Sequence, residues 1–182
     1  MTEIRISGFG GQGIIRCGYI IGKAASIYDG KSATLTQSFG PEARGSACSA
    51  QVVIEKNRVL YPYIIVPNIL VAMSQEAYTK FESNLDKNGI LLIDQDLVKP
   101  EKRRDQIKFY SIPATRIAEG MGNKIIANIV MLGFFTAVTK VITKEAGRKA
   151  IFGSVPERYI ELNLKAFDRG YEFGEKLLSE GG

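Results

Sequence analysis

The run Gly8-Phe9-Gly10-Gly11-Gln12-Gly13 lies between a strand-like segment, Ile4-Arg5-Ile6-Ser7, and a helical segment reaching to about Tyr28. This strand–glycine loop–helix opening limits the fold more than any other feature. Apolar residues Ile14, Cys17, Ile21, Ala24, Ala25 and Tyr28 recur at three- and four-residue steps, so one helix face is buried. The glycines fit the G-x-G-x-x-G pattern at Gly8, Gly10 and Gly13. In that pattern the first two allow a tight turn and close backbone approach, and the third lets the helix lie near the strand. Backbone N–H groups at the helix start then face an anion. The same glycines would equally serve packing alone, and the residues by themselves leave both readings open.

The segments that follow continue the alternation. Asp29-Gly30 is a turn, Lys31 to Thr36 a second strand, Ala47 to Ile54 a third, and Arg58 to Tyr61 a return strand across Glu55-Lys56-Asn57. Ile69 to Met73 is a continuous apolar run, which suits a parallel strand covered on both faces. Ser74 stands at an N-cap position with Glu76 near the helix start, and that helix runs to about Asn84. Gly89 to Asp94 and Ile107 to Tyr110 are further strands. The C-terminal part is helical: Ile125 to Thr139 carries no charge, and Ser154-Val155-Pro156-Glu157 fits a capping box that opens a last amphipathic helix. The expected fold is α/β and Rossmann-like, a mostly parallel sheet flanked by helices with a helical C-terminal part. At 182 residues, one domain over 1–182 is expected.

A dinucleotide site also needs an acidic residue at the end of the second strand to hold the ribose hydroxyls. Thr36-Gln37-Ser38 stand there, and Asp29 precedes the strand, so NAD is not expected. Beside the glycine loop, on the same sheet edge, comes Gln37-Ser38-Phe39-Gly40-Pro41-Glu42-Ala43-Arg44-Gly45-Ser46. Arg44 could fork onto a carboxylate or phosphate, with Glu42 positioning it; a solvated turn with an internal ion pair is the competing reading. Asn128 falls inside the uncharged helix and must find a hydrogen-bond partner, in a backbone group of the fold or across an interface; Asn123 borders the same helix.

The chain contains no histidine, which removes the commonest general acid–base and metal ligand. Two cysteines, Cys17 and Cys48, are too few for an iron–sulfur cluster and read as small buried apolar side chains in a reducing cytoplasm. The net charge of +5 is spread out except at Lys99 to Arg104, read as a solvated loop. Acidic partners or anionic ligands fit this charge; a nucleic-acid face does not. Met1 to Ile6 runs straight into a strand-like pattern, so no signal peptide is expected, and no apolar run reaches the roughly 18–20 residues needed to span a bilayer.

Several segments, in order along nearly the whole chain, resemble the gamma subunit of the 2-oxoacid:ferredoxin (acceptor) oxidoreductases. They are Gly8 to Gly13, Gln37 to Gly45, Leu70 to Ala77, Ile112 to Thr115, Asn128 to Gly133 and Leu162 to Phe167. The glycine loop together with Pro41-Glu42-Ala43-Arg44-Gly45 is most similar to the 2-oxoglutarate type; the 2-oxoisovalerate and pyruvate types are the alternatives, with a stand-alone Rossmann nucleotide-binding protein or a packing scaffold as readings of another kind. Ser46 and Asn68 depart from the family's usual glycine and aspartate. The resemblance implies a subunit of an enzyme that decarboxylates a 2-oxoacid on thiamine diphosphate with Mg, passes electrons through iron–sulfur clusters and transfers the acyl group to coenzyme A. Those cofactors would sit in alpha, beta and ferredoxin-like partner subunits. This chain would hold no catalytic residue and no metal. Gly8, Gly10, Gly11, Gln12, Gly13, Ser38, Gly40, Glu42 and Arg44 would contact or enclose coenzyme A. Apolar surface meant for partners would favour a homodimer when the chain is isolated.

Overall fold

Six strands form one sheet in the order β2-β3-β1-β4-β5-β6. The structure, a computed structural model, describes residues 1–38, 47–101 and 105–181. Gly40, Glu42, Arg44 and Ser46 lie outside the described residues, as does the Lys102–Arg104 part of the basic cluster. The strands are β1 (Thr2–Phe9), β2 (Ser32–Ser38), β3 (Ala47–Glu55), β4 (Ile69–Ala72), β5 (Ile90–Asp94) and β6 (Lys108–Ile112). β1, β4, β5 and β6 run parallel, and β3 is antiparallel to both β1 and β2. The sheet is thus mixed but mostly parallel.

All four residues of β4 are buried, as a continuous apolar run covered on both faces requires. Its side chains alternate between two cores. Ile69 and Val71 join the larger core, built with α1 (Ile14–Lys23), α3 (Ala114–Gly120), α4 (Ala127–Thr139), α5 (Lys144–Ile151) and α6 (Ile160–Ser179). Leu70 and Ala72 join the smaller core on the opposite face, with Tyr78 and Phe81 of α2 (Gln75–Phe81). Helix α4 is buried nearly all round and crosses α6 at a glycine pair. A Cβ on Gly133 would collide with the Phe167 carbonyl, and one on Gly170 with the Val130 carbonyl. Only bare Cα atoms let the two backbones come this close.

Local signals hold at several ends. Ser74 Oγ accepts the Ala77 N–H at 3.2 Å, the N-cap bond its position predicts. The Asp29 carboxylate accepts the Thr143 N–H and O–H at 2.9 and 2.7 Å, so it ties the start of α5 and is turned away from the end of β2. Asn68 Oδ1 accepts the Glu3 N–H at 2.8 Å, a task an aspartate would also perform.

Other expectations are corrected. Arg58 to Tyr61 forms no strand; β3 ends at Glu55 and the chain reaches β4 through a loop, because Pro62 and Pro67 interrupt ladder pairing and the Glu3 carboxylate takes the Ile65 and Val66 N–H groups. Ser154 does not open the last helix. Its hydroxyl donates back to the Ala150 carbonyl at 2.5 Å, closing α5, and a 3-10 turn at Glu157–Tyr159 leads into α6 without a side-chain cap. The uncharged C-terminal helix is preceded by a 3-10 turn at Lys124–Ile126, and Ala24–Tyr28 at the end of the first helix winds as a π-helix. Helices α3 and α5 are short; α5 buries Ala146, Gly147, Ala150 and Ile151 on one face, and α3 buries Ala114, Thr115 and Ala118.

Candidate functional site

β1 carries the chain to Phe9, and the loop turns at Gly11 (φ 95°) and Gly13 (φ 72°) before α1 begins. Both angles lie where a Cβ is strained, so glycine is required for the turn. Gly13 is the N-cap of α1, and no side chain caps that helix. The N–H groups of its first turn, with the positive end of the helix dipole, are therefore directed outward toward any anion placed there.

The neighbours of each glycine differ from the simple pattern. A Cβ on Gly8 would strike the Gln12 amide and Ile14, so Gly8 lets the start of α1 sit against β1. Gly13 was expected to bring helix and strand together. Its missing Cβ instead makes room for Asn128 on α4, whose Nδ2 donates to the Gly13 carbonyl at 3.1 Å. Close helix–sheet approach belongs to Gly18, where a Cβ would lie 2.6 Å from that of Ala50. The polar residue inside the uncharged helix thus meets its partner within the fold, in the loop itself.

Gln12 does something the pattern does not specify. Its Oε1 accepts the Phe9 N–H at 2.7 Å and its Nε2 donates to the Met73 carbonyl at 2.9 Å. Met73 follows β4, so one amide side chain ties together the ends of β1 and β4. The antiparallel β3 and then β2 lie to one side of β1, and the parallel β4, β5 and β6 to the other, so this bridge sits where the strand order changes direction.

On the other side of the loop lies a cavity of about 600 Å³, bounded by Gly10, Gly11 and Gly13, the first turn of α1, the start of α4 and the turn into α6. Its polar wall includes Arg16, Asn123, Asn128 and Asn163, and its apolar wall includes Ile129 and Tyr159. Asn123 Oδ1 accepts the Ile125 N–H, and Asn163 Nδ2 donates to the Tyr159 carbonyl, so both amides are held in place. Cys48 lines the same cavity; burial pushes its thiol pKa up, and pushes that of Cys17 up to about 12. Both are neutral thiols at physiological pH.

Among the sequence-selected residues, Gly10, Gly11 and Gly13 line this cavity; Gly8 lies inside β1, and Gln12 is committed to the strand ends. Ser38 is exposed at the end of β2, in register with Ser49, which pairs with Ser7; the second segment therefore does leave the sheet on the edge of the glycine loop. Gly40, Glu42 and Arg44 lie outside the described residues. Sequence reading missed Arg16, Tyr159 and Asn163. Arg16 sits in the first turn of a helix that follows a glycine loop, and that position alone was signal enough.

Asp94 is a second buried polar centre that pattern reading passed over. Its Oδ2 accepts the Thr115 N–H at 3.0 Å and the Thr115 O–H at 2.6 Å, and its Oδ1 accepts the Asp96 N–H at 3.1 Å. The end of β5 thereby holds the start of α3. Burial pushes the Asp94 pKa up, and the Thr115 and Asp96 hydrogen bonds pull it back in part.

Residues 3–173 match the pyruvate ferredoxin/flavodoxin oxidoreductase family. The chain belongs to that family. Over 96% of its length it is 49% identical to the 2-oxoglutarate synthase subunit KorC of Methanocaldococcus jannaschii, covering 95% of that protein. The gamma subunit of keto/oxoacid ferredoxin oxidoreductase from Geobacter sulfurreducens superposes with a TM-score of 0.86 at 42% identity, over 96% of this chain and 98% of that one. The same fold, at 23% identity and a TM-score of 0.87, occurs in 2-oxoglutarate:ferredoxin oxidoreductase from Magnetococcus marinus, solved with 2-oxoglutarate, coenzyme A and succinyl-CoA; it covers 96% of this chain and 31% of that longer one. The site offers backbone amides, fixed carboxamides, one arginine and a neutral thiol, groups that can hold an anion or an amide. No group of three or more His, Cys, Asp or Glu side chains among the described residues could hold a metal ion. With both cysteines buried and apart in role, the residues present do not fit an iron–sulfur cluster. No helix among them is long and apolar enough to cross a membrane.

Proposed function

We propose that this chain is the gamma subunit of a 2-oxoglutarate:ferredoxin oxidoreductase, the enzyme that oxidatively decarboxylates 2-oxoglutarate to succinyl-CoA, and that its glycine-loop cavity holds part of coenzyme A. The observation that carries the first statement is the near full-length match to a 2-oxoglutarate synthase subunit. The second rests on the cavity. The uncapped start of α1 and Arg16 suit a phosphate, and the carboxamides with Tyr159 suit an amide-bearing, partly apolar chain. Thiamine diphosphate, Mg and the iron–sulfur clusters belong to the larger partner chains. This chain's contribution is position and electrostatics at the acyl acceptor.

Co-expression with the catalytic and ferredoxin-like chains tests the reading. The assembled enzyme is expected to reduce an electron acceptor in a reaction dependent on both 2-oxoglutarate and coenzyme A, and this chain alone to do neither. Arg16→Gln, at an exposed position, is expected to raise the KM for coenzyme A several-fold with kcat little changed, on the order of the loss of one charge-assisted hydrogen bond. Oxidation of a different 2-oxoacid in preference to 2-oxoglutarate would reassign the substrate. An unaltered KM would remove Arg16 from the site.

A further inference from the structure

The loop between β3 and β4 displays Leu60, Tyr61, Tyr63, Ile65 and Val66, with Leu60 85% and Ile65 73% exposed. Exposed apolar side chains scattered singly need no explanation, but five within seven residues do. This segment is held firmly. Glu3, itself buried, points its Oε2 at the Ile65 and Val66 N–H groups at 3.0 and 2.9 Å, and Tyr61 and Tyr63 meet edge to face at 5.7 Å. A buried carboxylate is thus committed to fixing the shape of an apolar surface loop, so little conformational freedom remains to be lost on binding.

Beside the loop an open groove of about 510 Å³ is bounded by Arg5, Ile65, Val66, Leu85, Asp86 and Lys87. Arg5 stacks over the Phe81 ring at 4.6 Å, and its Nε is buried with no hydrogen-bond partner among the described residues. Asp86 Oδ1 accepts the Asn88 N–H of its own turn at 2.8 Å. The Arg5 Nε lies below the surface, so it is the remainder of the half-buried guanidinium, at the wall of the groove, that presents N–H donors to a carboxylate. Exposed Lys56, Arg58 and Lys87 surround the strip, against half-buried Glu55 and Asp86. Two copies of a chain with net charge +5 would bring like charges together there, whereas an acid-bearing surface complements it. The loop precedes β4 and lies at the edge of the sheet opposite the glycine loop, so occupancy of one leaves the other free. The fold also occurs as 31% of a longer chain, so it is compatible with a larger body joined to it.

We propose that the Leu60–Val66 strip and the Arg5 groove together are a docking surface for a larger protein subunit of the same oxidoreductase, met through an apolar patch with a carboxylate that seats on Arg5. The proposal rests on the functional reading above. Its test is assembly: the chain is co-expressed with tagged catalytic chains, and the amount retained on the tag is measured. Leu60→Asp combined with Ile65→Asp changes two exposed side chains and should leave the melting temperature of the isolated chain unaltered, while association weakens on the order of tenfold or more. Arg5→Met keeps the stem over Phe81, and should weaken association several-fold and reduce its salt dependence. Ile27→Asp, at an exposed position on the first helix, should assemble normally. Wild-type retention by the folded double variant would overturn the surface and leave the functional reading intact. Failure of the wild-type chain itself to assemble would overturn both. An isolated wild-type dimer that the double variant converts to monomer would make this a contact between copies and overturn the proposal.

Discussion

Asn128 and Gly13 are 115 residues apart in sequence and joined by a hydrogen bond of 3.1 Å, from the amide Nδ2 to the carbonyl that also accepts the first helical N–H, that of Cys17. Helix α4 thereby fixes the conformation of the loop that starts α1. Gly13→Ala combines a positive φ with a Cβ that collides with the Asn128 amide, and should destabilise the chain by about 1–3 kcal/mol. Asn128→Ala removes the bond without the clash and should cost about 1–2 kcal/mol. Urea midpoints compared at constant m-value would check both, and a Gly13→Ala protein as stable as wild type would contradict the geometry.

The α4–α6 crossing predicts a larger effect. Alanine at Gly133 or Gly170 drives a Cβ into a backbone carbonyl of the facing helix, which no rotamer change can relieve. Each substitution should cost about 3 kcal/mol or more. The expected result is a large fall in melting temperature or in soluble yield, against little effect for alanine at Gly120, where nothing stands within 4 Å.

Asp94 predicts a pH dependence. Its folded pKa is raised by burial, so the native state keeps this proton to higher pH than the unfolded chain does. The stability it contributes is complete below the ordinary carboxylate value of about 3.9 and is lost as pH rises through the folded value. The stability of wild type relative to Asp94→Asn should therefore fall as pH rises above about 4. Equilibrium unfolding of both proteins across that range checks the sign, and a difference that grows with pH would refute it.

The two thiols should differ in access although both are held neutral. Cys17 is 1% exposed within the larger core and should react with an aromatic disulfide reagent only on unfolding. Cys48 borders the glycine-loop cavity and should react first, slowly at neutral pH and faster as pH rises. Coenzyme A in the cavity should slow that labelling, measured on the assembled enzyme by mass spectrometry. Equal Cys48 rates with and without coenzyme A would place the ligand elsewhere.

The strand–glycine loop–helix opening, the buried β4 run and the Ser74 cap were legible in the chain because each depends on neighbours within a few residues. The lack of histidine and the presence of only two cysteines were likewise legible without any coordinates, and the ordered motifs were sufficient to indicate the family. Tertiary structure alone decided what the glycines are for. Gly13 makes room for Asn128 and Gly18 admits the sheet, while Gln12 bridges the ends of β1 and β4; none of these partners is near in sequence. The same holds for the antiparallel insertion of β3, for Ser154 closing one helix instead of opening the next, and for Glu3 shaping the Leu60–Val66 loop. Periodicity reports which face of a segment is buried. It carries no record of which distant backbone group a buried amide or carboxylate will satisfy, and in this chain those long-range hydrogen bonds set the shape of the cavity.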